Sequence, residues 1–121
     1  MTDTRDIVVT VPAYLWRQWL SEGDCAGEKR REGVDYWFNV PSRPKVEPSS
    51  RVYVVACGRL RGYAPLVRID PDPRNPRGCL LIRRGEAVAV TIDEPVRGFQ
   101  GYRYRWWERD AEKPFPEWKT P

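Results

Sequence analysis

Between Arg97 and Arg109 the chain reads RGFQGYRYRWWER, which sets five aromatic rings and four arginines within thirteen residues. Rings offer faces on which nucleobases stack, and guanidinium groups neutralise phosphate, so this mixture has the chemistry to bind a nucleic-acid strand. If residues 101–107 form a strand, side chains alternate across it: Tyr102, Tyr104 and Trp106 share one face, while Arg103, Arg105 and Trp107 share the other. The expectation is a ring face turned into the core and a cationic face turned to water, with Trp107 exposed between the arginines as a stacking platform. The competing expectation is a plain core strand whose arginines pair with Glu108, Asp110 or Glu112. Trp37, in VDYWFNV, is a second candidate for stacking. Arg59 and Arg61, in GRLRG, extend the basic surface if that turn lies near the strand, as do Arg83 and Arg84.

Catalytic chemistry has less material. The chain has no histidine, which excludes Ser-His-Asp and Cys-His catalysis and the usual proton shuttle near neutral pH. There is no G-x-x-x-x-G-K-[ST] loop and no G-x-G-x-x-G following a strand, so nucleotide binding by those devices is not expected. What remains is lysine, carboxylate and hydroxyl. Lys29 and Glu32, with Thr91 or Glu86, are the candidates, because a buried lysine beside a carboxylate can act as a base. Thr91 sits in an alternating apolar run, where a β-forming role competes with a nucleophilic one. The cysteines, Cys25, Cys57 and Cys79, are odd in number and far apart, which reads as free buried thiols and not as a metal site. No cofactor is expected.

The elements that must hold these residues fit one domain spanning residues 1–121, since two cores of roughly 60 residues would each be marginal. The hydrophobic share is 40%, the charged share 31% and the formal net charge +4, an ordinary globular composition with a modest bias toward polyanionic partners. Arginine outnumbers lysine 17 to 4, which suits phosphate and base contacts but is equally produced by a GC-rich coding genome. No run approaches the ~20 apolar residues of a membrane span, and the N-terminus lacks a secretory pattern, so no membrane partner and a cytoplasmic location are expected.

IVVTV at 7–11 reads as an opening strand closed by Pro12, and AYLWRQWLSE at 13–22 as a helix whose Leu15, Trp16, Trp19 and Leu20 form one apolar stripe. VDYWFNV is a strand with Tyr36 and Phe38 on one side and Trp37 on the other. RVYVVAC and YAPLVRI form a hairpin about GRLRG, and Pro65 marks an edge or a bulge. CLLIRR, AVAVTI and YRYRWW complete about six short strands. The proline-rich tail is extended, pinned by Phe115 and Trp118. One helix near the N-terminus with mostly antiparallel strands predicts an α+β, mostly β fold: a small barrel or open sheet with the helix packed at one end.

The block VEPSSRVYVVACGRLRGYAPLV resembles the turn, strand, glycine turn and strand of ASCH and related PUA-like domains, with Ser49 and Ser50 standing where a Gly-Asp pair is common. Gly27, Lys29 and Glu32 match part of the G-x-K-x-x-E-x-R motif of ASCH domains, with Val34 in place of the final arginine. The chain as a whole also resembles small proteins of actinobacteria and their phages. The resemblance implies a PUA-like pseudobarrel with a cleft beside the helix that holds RNA or a single, often modified, base. For some relatives it implies hydrolysis of a modified nucleoside or of RNA, which here would fall to Lys29 and Glu32. The expected function is therefore binding of RNA, single-stranded nucleic acid or a nucleoside in a cleft between the helix and the glycine hairpin. A small hydrolase and a phage-type protein-interaction module are the alternatives.

Overall fold

The computed structural model describes residues 5–22, 35–85 and 87–120. β1 (Ile7–Thr10) is β-branched throughout, and Ile7, Val8 and Val9 are all buried. A strand covered on both faces requires apolar residues at consecutive positions, which IVVT supplies. The Pro12 carbonyl accepts the Trp16 N–H at 2.9 Å and begins α1 (Ala13–Ser21), a position where the missing proline N–H forfeits no helical bond. Trp16 and Trp19 form the buried stripe of α1.

Seven further strands follow: β2 (Asp35–Val40), β3 (Arg51–Ala56), β4 (Arg59–Pro71), β5 (Cys79–Arg84), β6 (Val90–Thr91), β7 (Tyr102–Tyr104) and β8 (Lys113–Pro114). With β1, five of them make one six-stranded sheet in the order β2-β5-β4-β3-β1-β7, and β6 pairs with β8 separately. β1 and β3 are parallel while the other pairs are antiparallel. A parallel pair cannot be joined by a tight turn, and the crossover here carries α1 and β2. The result is a mostly-β, curled half-barrel with a single helix among the described residues, in agreement with the fold class expected from the sequence.

Two elements differ from expectation. The hairpin turn is Cys57 and Gly58 alone, with φ of 53° and 76°, a two-residue turn whose positive φ values match the twist of the flanking strands. Arg59 and Arg61 are consequently strand residues. β4 then serves two partners: its first half pairs with β3 and its second with β5, with a register shift between Leu66 and Arg68. Pro65, which lacks an N–H, stands at this changeover. The second difference is β7, which ends at Tyr104 instead of continuing to Trp107.

Both faces of the sheet are covered. Ile7, Val9, Val52, Val54 and Leu81 belong to a core shared with α1, while Val8, Tyr53 and Val55 pack on the other face with Ile92, Val96 and Trp107. Phe115 and Trp118 are buried, and Trp118 meets Trp16 edge-on at 5.2 Å, so the tail is pinned as its aromatic residues predict. Burying a side chain the size of Phe115 contributes about 1.5–3 kcal/mol.

The segment that follows β2 meets β7 and the residue before it. A Cβ on Gly101, whose φ is 72°, would stand 3.5 Å from Pro41. Tyr102 Oη lies 3.2 Å from Ser42 Oγ, and Tyr104 Oη accepts the Lys45 N–H at 2.9 Å. Among the described residues no helix is long and apolar enough to cross a membrane.

Candidate nucleic-acid interface

Alternation along β2 sends Tyr36, Phe38 and Val40 into the core and leaves Trp37 and Asn39 outside. Above them runs α1, whose Trp19 ring lies 4.9 Å from Tyr36 and 5.3 Å from Phe38. Between the helix, β2 and the end of β1 is a pocket of about 470 Å³, with Trp19, Tyr36 and Phe38 in its wall. Trp37 also lines it and is 60% exposed. Water around a large uncovered ring is unfavourable, so an exposed tryptophan beside an aromatic cavity is a place where a planar ligand gains by stacking.

The polar side chains at this pocket are Gln18 of α1, Glu22 at its C-terminal cap, Tyr36 and Asn39 of β2 and Thr10 of β1. Gln18 Nε2 donates to Glu22 Oε1 at 2.9 Å, and Asn39 Nδ2 donates to Asp72 Oδ2 at 3.3 Å. An ionised carboxylate only accepts, so each amide must turn its nitrogen toward its acidic partner. That leaves each amide its carbonyl oxygen as an acceptor and its second N–H as a donor. Thr10 Oγ1 accepts the Phe99 N–H at 3.2 Å and keeps its own hydrogen for donation.

Phe99, bonded through its N–H to Thr10, belongs to a second aromatic cluster. The Arg103 guanidinium lies 4.4 Å over the Phe99 ring, and Trp106 meets the same ring at 6.5 Å. Arg103 pairs across from Val8 and is exposed. Trp106 is 44% exposed, and its indole N–H reaches Glu94 Oε1 at 3.2 Å. Phe99, Arg103 and Trp106 thus form a ring-and-cation cluster that packs beside Val8 on the other face of the sheet and does not line the pocket.

Three expected surface contacts are instead structural. Trp107 is 8% exposed; its indole N–H donates to Glu112 Oε2 at 2.9 Å, and its ring stands edge-on to Tyr53 at 5.0 Å. Trp106 takes the outward position because the chain leaves the sheet after Tyr104 and the strict alternation ends there. Arg105 is drawn aside by Asp6, which is buried: Nε contacts Oδ2 at 3.1 Å, and the same carboxylate holds Arg109 at 2.8 Å and the Arg51 N–H at 2.9 Å. Arg105 also donates to the Trp107 carbonyl. Arg61, 1% exposed, donates to the carbonyls of Ala56 and Trp118 at 2.8 and 3.0 Å and also to that of Thr120. Burial lowers its pKa from the ordinary arginine value.

Of the other candidates, Arg59 is exposed, with its guanidinium 4.6 Å over Phe115, and does not line the pocket. Arg83 is fully buried against Trp19 and Tyr36, at 4.8 and 4.6 Å, so it adds nothing to a basic surface. Thr91 is buried and its hydroxyl donates to the Ile92 carbonyl at 3.4 Å, an environment without access for a substrate. Lys29, Glu32, Glu86 and the Gly27 spacing lie outside the described residues. Cys57, expected to be buried, is exposed, whereas Cys79 is buried and its thiol pKa is raised by that burial. Among the described residues no group of three His, Cys, Asp or Glu could hold a metal ion.

The cleft beside the helix lies against β2 and not against the glycine hairpin, which is covered by Val96 and the tail: the Val96 N–H bonds the Gly58 carbonyl at 2.9 Å. Sequence reasoning found Trp37 but missed Gln18, Asn39, Thr10, Phe99 and Trp106. The parity of β2 places Asn39 with Trp37, and the spacing of four between Gln18 and Glu22 places them on one helix face; those two signals were present in the sequence. No family model matches the chain, and no curated protein or solved structure does so.

Proposed function

We propose that the protein binds single-stranded nucleic acid, with one base entering the pocket between α1 and β2 and stacking on Trp37, and backbone and base elsewhere along the strand resting on Arg103, Phe99 and Trp106. The observation that carries this reading is the exposed Trp37 at an open pocket with three further aromatic walls. Its volume falls within the roughly 300–1,000 Å³ usual for small-ligand sites. The exposed Arg103 supports a phosphate contact elsewhere along the strand, because a guanidinium already stacked on Phe99 loses little freedom on binding.

Anisotropy of a fluorescein-labelled single strand of about 12 nucleotides, titrated with protein at low salt, tests this directly. Trp37→Ala is expected to weaken binding by about 5- to 100-fold, the span of one base-to-ring stack. Wild-type affinity in Trp37→Ala would remove the pocket from the function.

A further inference from the structure

Resting on that function for its ligand, we infer that the phosphates next to the pocketed base cross a basic ledge made by two loops, 41–46 and 72–78, where Arg43, Arg74 and Arg77 neutralise them. β2 leads from the pocket to this ledge. Trp37 and Asn39 both line the pocket, and Asn39, about 7 Å further along the strand, donates from Nδ2 to Asp72 Oδ2 of the second loop at 3.3 Å. Val40 stands opposite Cys79, which also faces Pro71. A Cβ on Gly78 would lie 2.7 Å from the Val40 carbonyl oxygen, and the Cys79 thiol reaches the Ser42 carbonyl at 3.9 Å. The two loops therefore leave the sheet side by side, at the end of β2 that follows the pocket.

The second loop presents its arginines by one turn used twice, Asp72-Pro73-Arg74 and then Asn75-Pro76-Arg77. Asp72 Oδ1 accepts the Arg74 N–H at 2.9 Å, and Asn75 Oδ1 accepts the Arg77 N–H at 3.1 Å. Each turn is closed by a backbone bond, from the Asn75 N–H to the Asp72 carbonyl at 3.3 Å and from the Gly78 N–H to the Asn75 carbonyl at 3.1 Å. A side-chain oxygen and a proline thus fix each backbone, while both arginines stand exposed. Arg43 is exposed on the neighbouring loop between two anchored residues: the Ser42 hydroxyl meets that of Tyr102, and the Lys45 N–H bonds Tyr104 Oη. Burial raises the pKa of the Cys79 thiol, Arg43 opposes that rise and Asp72 adds to it, so both charges lie near the junction of the loops. Arg51, Arg68, Arg105 and Arg109 are held by carboxylates, whereas among the described residues Arg43, Arg74 and Arg77 have no such partner. Of the nearby acids, Asp72 is engaged by the Arg74 N–H and Asn39, and Asp70 by Arg68. Guanidinium groups on a fixed backbone, left to water and counterions, are what a phosphate chain displaces those counterions from.

The test is a salt series of anisotropy titrations with a labelled single strand of about 12 nucleotides, using the full chain, Arg74→Gln/Arg77→Gln and Trp37→Ala. A charge-matched control, Arg59→Gln/Lys113→Gln, removes two exposed cations that do not line the pocket. The slope of log K against log salt is expected to fall in magnitude by about 1.4 in Arg74→Gln/Arg77→Gln, two phosphate contacts at about 0.7 each. The same loss is expected with oligo-dA and oligo-dT, because phosphate contacts carry no base identity. Arg43→Gln lowers the slope by a further contact, while Trp37→Ala weakens binding and keeps the wild-type slope. A wild-type slope in Arg74→Gln/Arg77→Gln overturns the inference and leaves the base in its pocket. An equal loss of slope in the charge-matched control also overturns it, because net charge and not the ledge is then responsible. A slope that falls in Arg74→Gln/Arg77→Gln, with wild-type affinity in Trp37→Ala, supports the ledge and overturns the pocket. Absence of saturable binding by the wild type overturns both.

Discussion

Arg61 spends its guanidinium on the carbonyls of Ala56, Trp118 and Thr120, so one side chain ties the start of β4 to the C-terminal segment. Replacing it by methionine keeps much of the stem but leaves these buried carbonyls without a donor, each costing about 1–3 kcal/mol. Arg61→Met is expected to lose about 2–4 kcal/mol in urea unfolding, whereas Arg59→Met, exposed two residues earlier, stays within about 0.5 kcal/mol of wild type. Equal effects would show that the carbonyl contacts carry no stability. The two arginines look alike in GRLRG, and alternation even assigns them to one side. What separates them is a tail some sixty positions away, which no local pattern encodes. Arg105 and Trp107 follow the same logic, since Asp6 and Glu112 draw them inward from distant positions in the chain.

β3 and the C-terminal segment are joined by a second network. The Tyr53 hydroxyl donates to Glu112 Oε2 at 2.5 Å, and Arg51 contacts both Tyr53 Oη at 3.1 Å and Glu112 at 3.2 Å. Burial first, and the Glu112 bond second, raise the Tyr53 pKa above its ordinary 10.0. The folded form keeps this proton while the unfolded chain releases it near pH 10, so the associated stability is full below that pH and falls as pH rises further. Tyr53→Phe is expected to unfold more readily at pH 7, by about 1–3 kcal/mol, and to lose less than wild type between pH 9 and about pH 11. An unchanged alkaline slope would contradict the assignment. The strands themselves were legible wherever β-branched residues cluster, as in β1 and β3, and α1 announced itself through Pro12 and its tryptophan spacing. β7 was drawn too long because period two was carried through Arg105, where the Asp6 contact turns the chain. Between these limits, the sequence showed the pocket's most exposed ring but not the helix face that closes it.

Over the whole molecule, the curl of the sheet brings the segment after β2 against β7, and exposed rings stand at two places, Trp37 at the pocket and Trp106 beside Phe99. A single strand can place a base in such a pocket and a phosphate elsewhere on Arg103, whereas a duplex keeps its bases stacked and offers only its backbone. A net charge of +4 adds long-range attraction that salt screens. The most direct measurement is anisotropy of a labelled single strand of about 12 nucleotides across a salt series, beside the same strand annealed to its complement. Saturable binding of the single strand is expected, falling with salt at about −0.7 in log K per phosphate engaged, with the duplex bound far more weakly. Absence of saturable binding at low salt, or a duplex bound equally well, would contradict a base-in-pocket interface.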